Sequence, residues 1–248
     1  EGLPLSDLER IIISIRDASE SSGVPIVTGD TKVVPVGKVD KIFINTSGIG
    51  LVADQVEISA TKAQAGDKII LSGSMGDHGI TIMTRRAGIA LTGDLRSDSM
   101  ALHTMVQLLL TGLPPARLHT LRDPTRGGVA TSLCEIAASS GLMLEIEEDC
   151  IPVRAEVRAA CEILGLDPLY LANEGKCLAL VAPDSADQAL ALMQACPEGA
   201  DAAIIGTVTA GAAPAIPGSH GIKPSLAVAA PAIHGSHGIR PSLAVAAP

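Results

Sequence analysis

Aromatic side chains are almost missing from this 248-residue chain, which has Phe43, Tyr170 and no tryptophan. A core must therefore be built from Ala, Val, Ile and Leu, and no platform exists for stacking nucleic-acid bases. Basic clusters are absent beyond Arg85-Arg86, and the formal net charge is −9. That argues against nucleic acid as the main partner. The five cysteines (Cys134, Cys150, Cys161, Cys177, Cys196) show no C-x-x-C spacing and are odd in number, so reduced cytoplasmic thiols are the simplest reading. There is no H-E-x-x-H, no Walker G-x-x-x-x-G-K, no membrane-length apolar run and no signal peptide. The length suits one large or two ordinary domains.

What is present concentrates in Asp123-Pro124-Thr125-Arg126-Gly127-Gly128. Asp123 suits an N-cap and Pro124 a first helical position. Val129, Leu133, Ile136 and Ala137 recur at helical spacing up to Gly141, a C′ residue. Two glycines in a first turn cost about 1 kcal/mol each against alanine. They make sense where something approaches the backbone closely, and a helix N-terminus favours an anion such as phosphate. Asp123 could hold magnesium facing it. An ordinary capped helix with a flexible start remains the alternative.

Along the chain, Ser6-Asp7-Leu8-Glu9 has the capping-box pattern, Leu8, Ile11, Ile12 and Ile15 form a helical stripe, and Gly23 ends it. Strands are expected over 24–28, 41–46, 68–72, 117–122, 143–147, 177–182 and 203–208. Further helices are expected from Gly76-Asp77-His78-Gly79 through Ala87, from a cap at Asp98 or Ser99 to about Leu110, and over 153–164 and 185–195. His78 reads as a helix-start residue rather than a catalyst. The alternation of strands and helices implies α/β, or α+β with mixed sheets. Residues 214–230 and 231–247 are the same seventeen residues twice, differing at Pro217/His234 and Lys223/Arg240. Two such copies cannot stack into a solenoid, so 211–248 is expected to be disordered, and the repeat itself explains His220, His234 and His237.

Two further polar clusters stand beside glycines. In Gly29-Asp30-Thr31-Lys32, Asp30 and Lys32 project to one face of an extended chain and could handle magnesium and phosphate together, or form a solvated pair. Asn173-Glu174-Gly175-Lys176 precedes a buried strand and could be a site or a plain loop turn. These two, with Phe43-Ile44-Asn45-Thr46-Ser47-Gly48-Ile49-Gly50 and the Asp123 motif, resemble in order the HypE-type hydrogenase maturation factors. That family belongs to the superfamily of aminoimidazole ribonucleotide synthetase and selenophosphate synthetase. The resemblance runs from about Glu1 to Thr209.

The resemblance implies a two-domain PurM-like fold, with a partial N-terminal ATP-binding and dimerisation domain over 1–55, a C-terminal α/β domain over 62–210, and the tail. It implies a homodimer, Mg-ATP between the domains, and dehydration of a carbamoyl group on a C-terminal cysteine to thiocyanate. The cyanide would serve [NiFe]-hydrogenase through a HypC–HypD scaffold, with a HypF-type carbamoyltransferase upstream. By resemblance Asp30 and Asp123 face magnesium or phosphate. Thr31, Arg126, Gly127, Gly128, Asn173 and Lys176 bind the nucleotide, and Lys32 and Glu174 handle protons. Two departures stand out: the family's first ATP-binding strands would precede Glu1, and its terminal Pro-Arg-Ile-Cys is replaced by Ala247-Pro248. The expectation is an inactive fragment. A selenophosphate-synthetase-like enzyme and a non-catalytic partner-binding variant are the alternatives.

Overall fold

The computed structural model describes residues 1–89, 93–211 and 225–228. The chain divides into two compact units, one covering Glu1–Leu51 and the other running from Val52.

In the first unit, α1 (Leu5–Ser22) ends as expected at Gly23, which is left-handed at φ 68°. Its start is different: Pro4 occupies the N-cap, no side chain caps the helix, and the Ser6–Glu9 capping box is not made. The helix begins two residues too early for Ser6 to be its cap. The strands expected over 24–28 and 41–46 are not formed. A strand exists only through a ladder with a neighbour. Here Val27, Phe43, Ile49 and Leu51 stand exposed, and among the described residues no ladder forms within the unit.

The second unit is built on a six-stranded sheet. Its strands are β1 (Lys68–Leu71), β2 (Leu118–Arg122), β3 (Met143–Glu147), β4 (Leu178–Val181), β5 (Ala203–Thr209) and β6 (Ser225–Val228), in the order β2-β4-β1-β5-β3-β6. Every neighbouring pair is antiparallel. The helices are α2 (Asp77–Ala87), α3 (His103–Gly112), α4 (Gly128–Ser140), α5 (Ala155–Leu164) and α6 (Ala186–Gln194).

Period-two alternation divides the strands between two cores. Ile69, Leu71, Leu178 and Leu180 pack with Val129, Leu133 and Ile136 of α4. Ile70, Ala179 and Val181 turn the other way, onto Met105 and Leu109 of α3 and Ala189 and Met193 of α6. Both faces of β4 are thus covered, which explains its unbroken apolar run. A third cluster joins Ile80 of α2 to Val157, Ala160 and Cys161 of α5. Near the start of β1, buried Asp67 accepts from His119 Nδ1 of β2 at 2.8 Å and from the Gln64 N–H at 2.8 Å, fixing the turn that enters the sheet.

Three expectations need correction. First, α4 starts at Gly128, not at Pro124, and its N-cap is Gly127 rather than Asp123. The carbonyls that would open an earlier helix are already engaged: Pro124 O accepts from Asn173, and Asp123 O from Ser132 Oγ at 3.3 Å. Second, α3 starts at His103, so neither Asp98 nor Ser99 caps it. Third, within the tail expected to be disordered, Ser225–Val228 pairs with β3 as an edge strand, with Leu144 opposite Val228. The rest of the 212–248 expectation lies outside the described residues.

Candidate active site

Because β1 and β2 are both antiparallel to β4, they run parallel to each other. The loops leaving β1 and β2 therefore emerge at the end of the sheet where β4 begins. Sequence places a polar, glycine-containing segment in each: Ser72-Gly73-Ser74-Met75-Gly76, the Asp123 motif, and Asn173-Glu174-Gly175-Lys176. Asn173, fully buried, ties all three together. Its Oδ1 accepts from the Gly76 N–H at 2.8 Å, and its Nδ2 donates to Pro124 O and Leu171 O, both at 3.0 Å. An amide side chain fits here because it presents donor and acceptor together. Ser72 and Cys177 close the junction, Cys177 N–H donating to Ser72 Oγ at 2.9 Å. Burial pushes the Cys177 thiol up to about 12.

The glycines explain how closely these loops meet. A Cβ on Gly128 (φ +67°) would run into the carbonyls of Leu169 and Leu171. The space it leaves is filled by protein, so what Gly127 and Gly128 can offer a phosphate is their backbone N–H groups. A Cβ on Gly175 would strike the Asp98 carbonyl and Met100, so the 98–100 segment lies directly on the Asn173–Lys176 loop. A Cβ on Gly73 would meet Lys176 Cε at 3.3 Å, and its absence admits the lysine stem.

Lys176 and Asp98 are both buried, with Nζ 3.6 Å from Oδ2. The other Asp98 oxygen accepts from the Glu174 N–H at 3.2 Å. Glu174 itself is exposed, its carboxylate 3.9 Å from His78 Nε2 at the start of α2. Asp77, also buried in that first turn, accepts from Ser74 Oγ at 2.6 Å and lies 3.4 Å from Arg154 Nε. A carboxylate there also suits the positive end of the helix. An open groove of about 400 Å³, lined by Ser74, Arg154, Gln194 and Asp201, runs beside this cluster, and Glu174 does not line it.

The structure thus brings Asn173, Glu174 and Lys176 together with the Asp123 loop. Asp123 and Arg126 are exposed, Asp123 lying 4.0 Å from Arg122. Asp30, Thr31 and Lys32 belong to the first unit, where all three are exposed and Asp30 Oδ1 accepts from the Thr31 N–H at 2.8 Å. Sequence reasoning missed Asp77, Asp98 and Ser97. The signal was there for Asp77: Gly76-Asp77-His78-Gly79 follows a buried strand just as Gly29-Asp30 follows an apolar run. Asp98 carried no signal, since only folding brings it against Lys176. Among the described residues, no group of three or more His, Cys, Asp or Glu side chains could hold a metal by itself.

The profile of the AIR synthase related protein, C-terminal domain, matches residues 64–217, and that of the N-terminal domain matches 2–52. The chain is a member of the HypE family of AIR synthase related proteins. It is 52% identical over 210 residues to the carbamoyl dehydratase HypE of Azotobacter vinelandii, covering 85% of this chain and 61% of that protein. Among solved structures it is similar to a HypE–HypF complex, with a TM-score of 0.82 and 42% identity over 86% of this chain and 69% of that one. A HypE bound to ATP aligns with a TM-score of 0.81 and 48% identity over 85% of this chain and 62% of that one. The chain spans about three-fifths of the length of the curated HypE relatives it matches. All five cysteines are free thiols, and among the described residues no helix is long and apolar enough to cross a membrane.

Proposed function

We propose that this chain, rather than being the inactive fragment expected from its sequence, carries out the ATP-dependent dehydration of a protein-bound S-carboxamide to a thiocyanate, the step that supplies cyanide for [NiFe]-hydrogenase maturation. The observation that carries the proposal is identity at half of all aligned positions, across 85% of the chain, with a relative named carbamoyl dehydratase. In the overall change the carboxamide C–O bond breaks, the oxygen leaves on phosphate, and both protons leave the nitrogen. R–S–C(=O)–NH₂ and ATP become R–S–C≡N, ADP and phosphate.

ATP, when bound, supplies the phosphoryl group that turns the carboxamide oxygen into a leaving group. The chain's own residues bind, orient and move protons. Exposed Arg126 and the N–H groups of Gly127 and Gly128 suit the phosphates, as does Thr31 in the first unit. Asn173 and Lys176 are committed to holding the loops in place, so their part in nucleotide binding is to shape the cradle. Magnesium takes one or two carboxylates plus phosphate oxygens. Exposed Asp123 and Asp30 fit that role alongside a nucleotide. Glu174, held by its backbone with its carboxylate exposed 3.9 Å from His78 Nε2, suits a base for the amide proton, and Lys32 is the second proton-handling group. A homodimer, a HypF-type carbamoyltransferase and a HypC–HypD scaffold complete the proposed setting, in the cytoplasm.

Calorimetric titration with Mg-ATP separates these roles. Asp123→Asn should weaken nucleotide binding by about tenfold or more, through loss of a charged metal ligand. Glu174→Gln should bind ATP like the parent and fail at dehydration. Nucleotide affinity unchanged by Asp123→Asn would remove Asp123 from the role given to it here.

A further inference from the structure

We infer that His78 is a positioning residue for Glu174 and that Ser97 sets its tautomer. The inference rests on the proton-handling role proposed above for Glu174. His78 stands in the first turn of α2, its Nδ1 2.9 Å from Ser97 Oγ and its Nε2 3.9 Å from Glu174 Oε1. Ser97 Oγ accepts from the Ser99 N–H at 3.2 Å and lies 2.8 Å from Ser99 Oγ. With the Ser99 hydroxyl assigned as the donor of that pair, both lone pairs of Ser97 are filled. Its own proton then goes to His78 Nδ1. A neutral imidazole that accepts at Nδ1 carries its proton on Nε2, and that N–H faces Glu174.

The other acids near His78 are committed elsewhere: Asp77 to Ser74 and Arg154, and Asp98 to Lys176 and the Glu174 N–H. Glu174 is therefore the carboxylate left for His78 to address. An imidazole N–H at this distance restrains the carboxylate electrostatically and becomes a hydrogen-bond donor with a small rotation of either side chain. The Asp98 contact holds the Glu174 backbone from one side and His78 holds its carboxylate from the other. Such a pair of restraints gives a base on a loop a defined direction.

The test has a spectroscopic arm and a kinetic arm. Long-range ¹H–¹⁵N correlation spectra of the ¹⁵N-labelled chain identify each neutral histidine's tautomer, His78 being assigned by the signal lost in His78→Gln. The Nε2–H form is expected for His78, with Nδ1–H appearing in Ser97→Ala. An Nδ1–H form in the parent, or no change in Ser97→Ala, overturns the inference. In the dehydration assay His78→Ala should lower kcat by about tenfold with the KM for ATP little changed. His78→Gln, whose amide N–H can reach towards Glu174, should recover part of that loss. Thermal melts of each variant separate kinetic loss from misfolding. If Glu174→Gln is inactive while His78→Ala and Ser97→Ala turn over like the parent, the positioning role alone fails. If Glu174→Gln is fully active, the proton-handling role of Glu174 fails, and this inference with it.

Discussion

Asn173 shows what one buried amide can do. Its three hydrogen bonds span the loop after β1, the loop after β2 and the segment before β4. Asn173→Ala leaves one buried N–H and two carbonyls without partners, so a loss of roughly 3 kcal/mol is expected, read as a lower urea midpoint with an unchanged slope. Cys177 makes a different, pH-linked prediction. Its thiol is raised from 9.0 to about 12 in the folded chain, by burial above all, with the Asp123 charge adding to the rise and a backbone hydrogen bond opposing it. A group raised in this way contributes its full stability below pH 9.0, and that contribution is lost as pH climbs from there towards 12. Urea midpoints should therefore fall between those limits, and less so in Cys177→Ala. Iodoacetamide near pH 8 should spare Cys177 in the native chain, because only the thiolate reacts. Labelling of Cys177 before unfolding would contradict its burial.

At the scale of elements, α4 and its entry loop carry the clearest contrast. Gly128 and Gly141 both have φ near +70°, but a Cβ on Gly141 meets nothing within 4 Å, whereas one on Gly128 meets backbone carbonyls. Gly141→Ala should cost about 1 kcal/mol, the left-handed penalty alone. Gly128→Ala should cost roughly 3 kcal/mol or more, because the backbone around Leu169–Leu171 must also move. Equal melting temperatures for the two variants would show that the loops are not packed as described. Strands β1 to β5 were legible in the sequence because each alternates or runs apolar over four to seven residues and is followed closely by Gly, Pro or a charge, whereas β6 lies in the repeat and carried no such signal. The helix starts at Asp98 and Asp123 were misread because partners distant in sequence claim the groups that a cap or a first turn would use. Asp98 is drawn away by Lys176, and the carbonyls around Asp123 by Asn173 and Ser132. The 24–28 and 41–46 segments are apolar enough for strands, but apolar content does not supply a ladder partner. Glu174, Lys176 and the Asp123 motif could be singled out as candidates because polar residues beside glycines at strand ends are visible in one dimension. Asp98 meets Lys176, and Ser97 meets His78, only through the fold.

For the whole molecule, the proposed reaction asks a nucleotide to activate an oxygen while positioned acid–base groups take protons from nitrogen. The antiparallel sheet serves as a rigid frame that aims three loops from one end, and the buried Lys176–Asp98 pair locks the one that enters β4, between the other two. Removing one partner of such a pair is expected to cost about 3–5 kcal/mol, since the other charge stays buried. Lys176→Met should therefore lose stability as well as nucleotide affinity, and thermal melts of the chain alone measure the first without the second. The claim that joins these scales is dehydration itself. Mass spectrometry of a peptide ending in an S-carboxamide cysteine, incubated with the chain and Mg-ATP, tests it most directly. The expected result is loss of one water from the peptide for each ATP converted to ADP, abolished by Glu174→Gln. ATP consumed with the carboxamide mass unchanged, or the same loss of water without ATP, would contradict it.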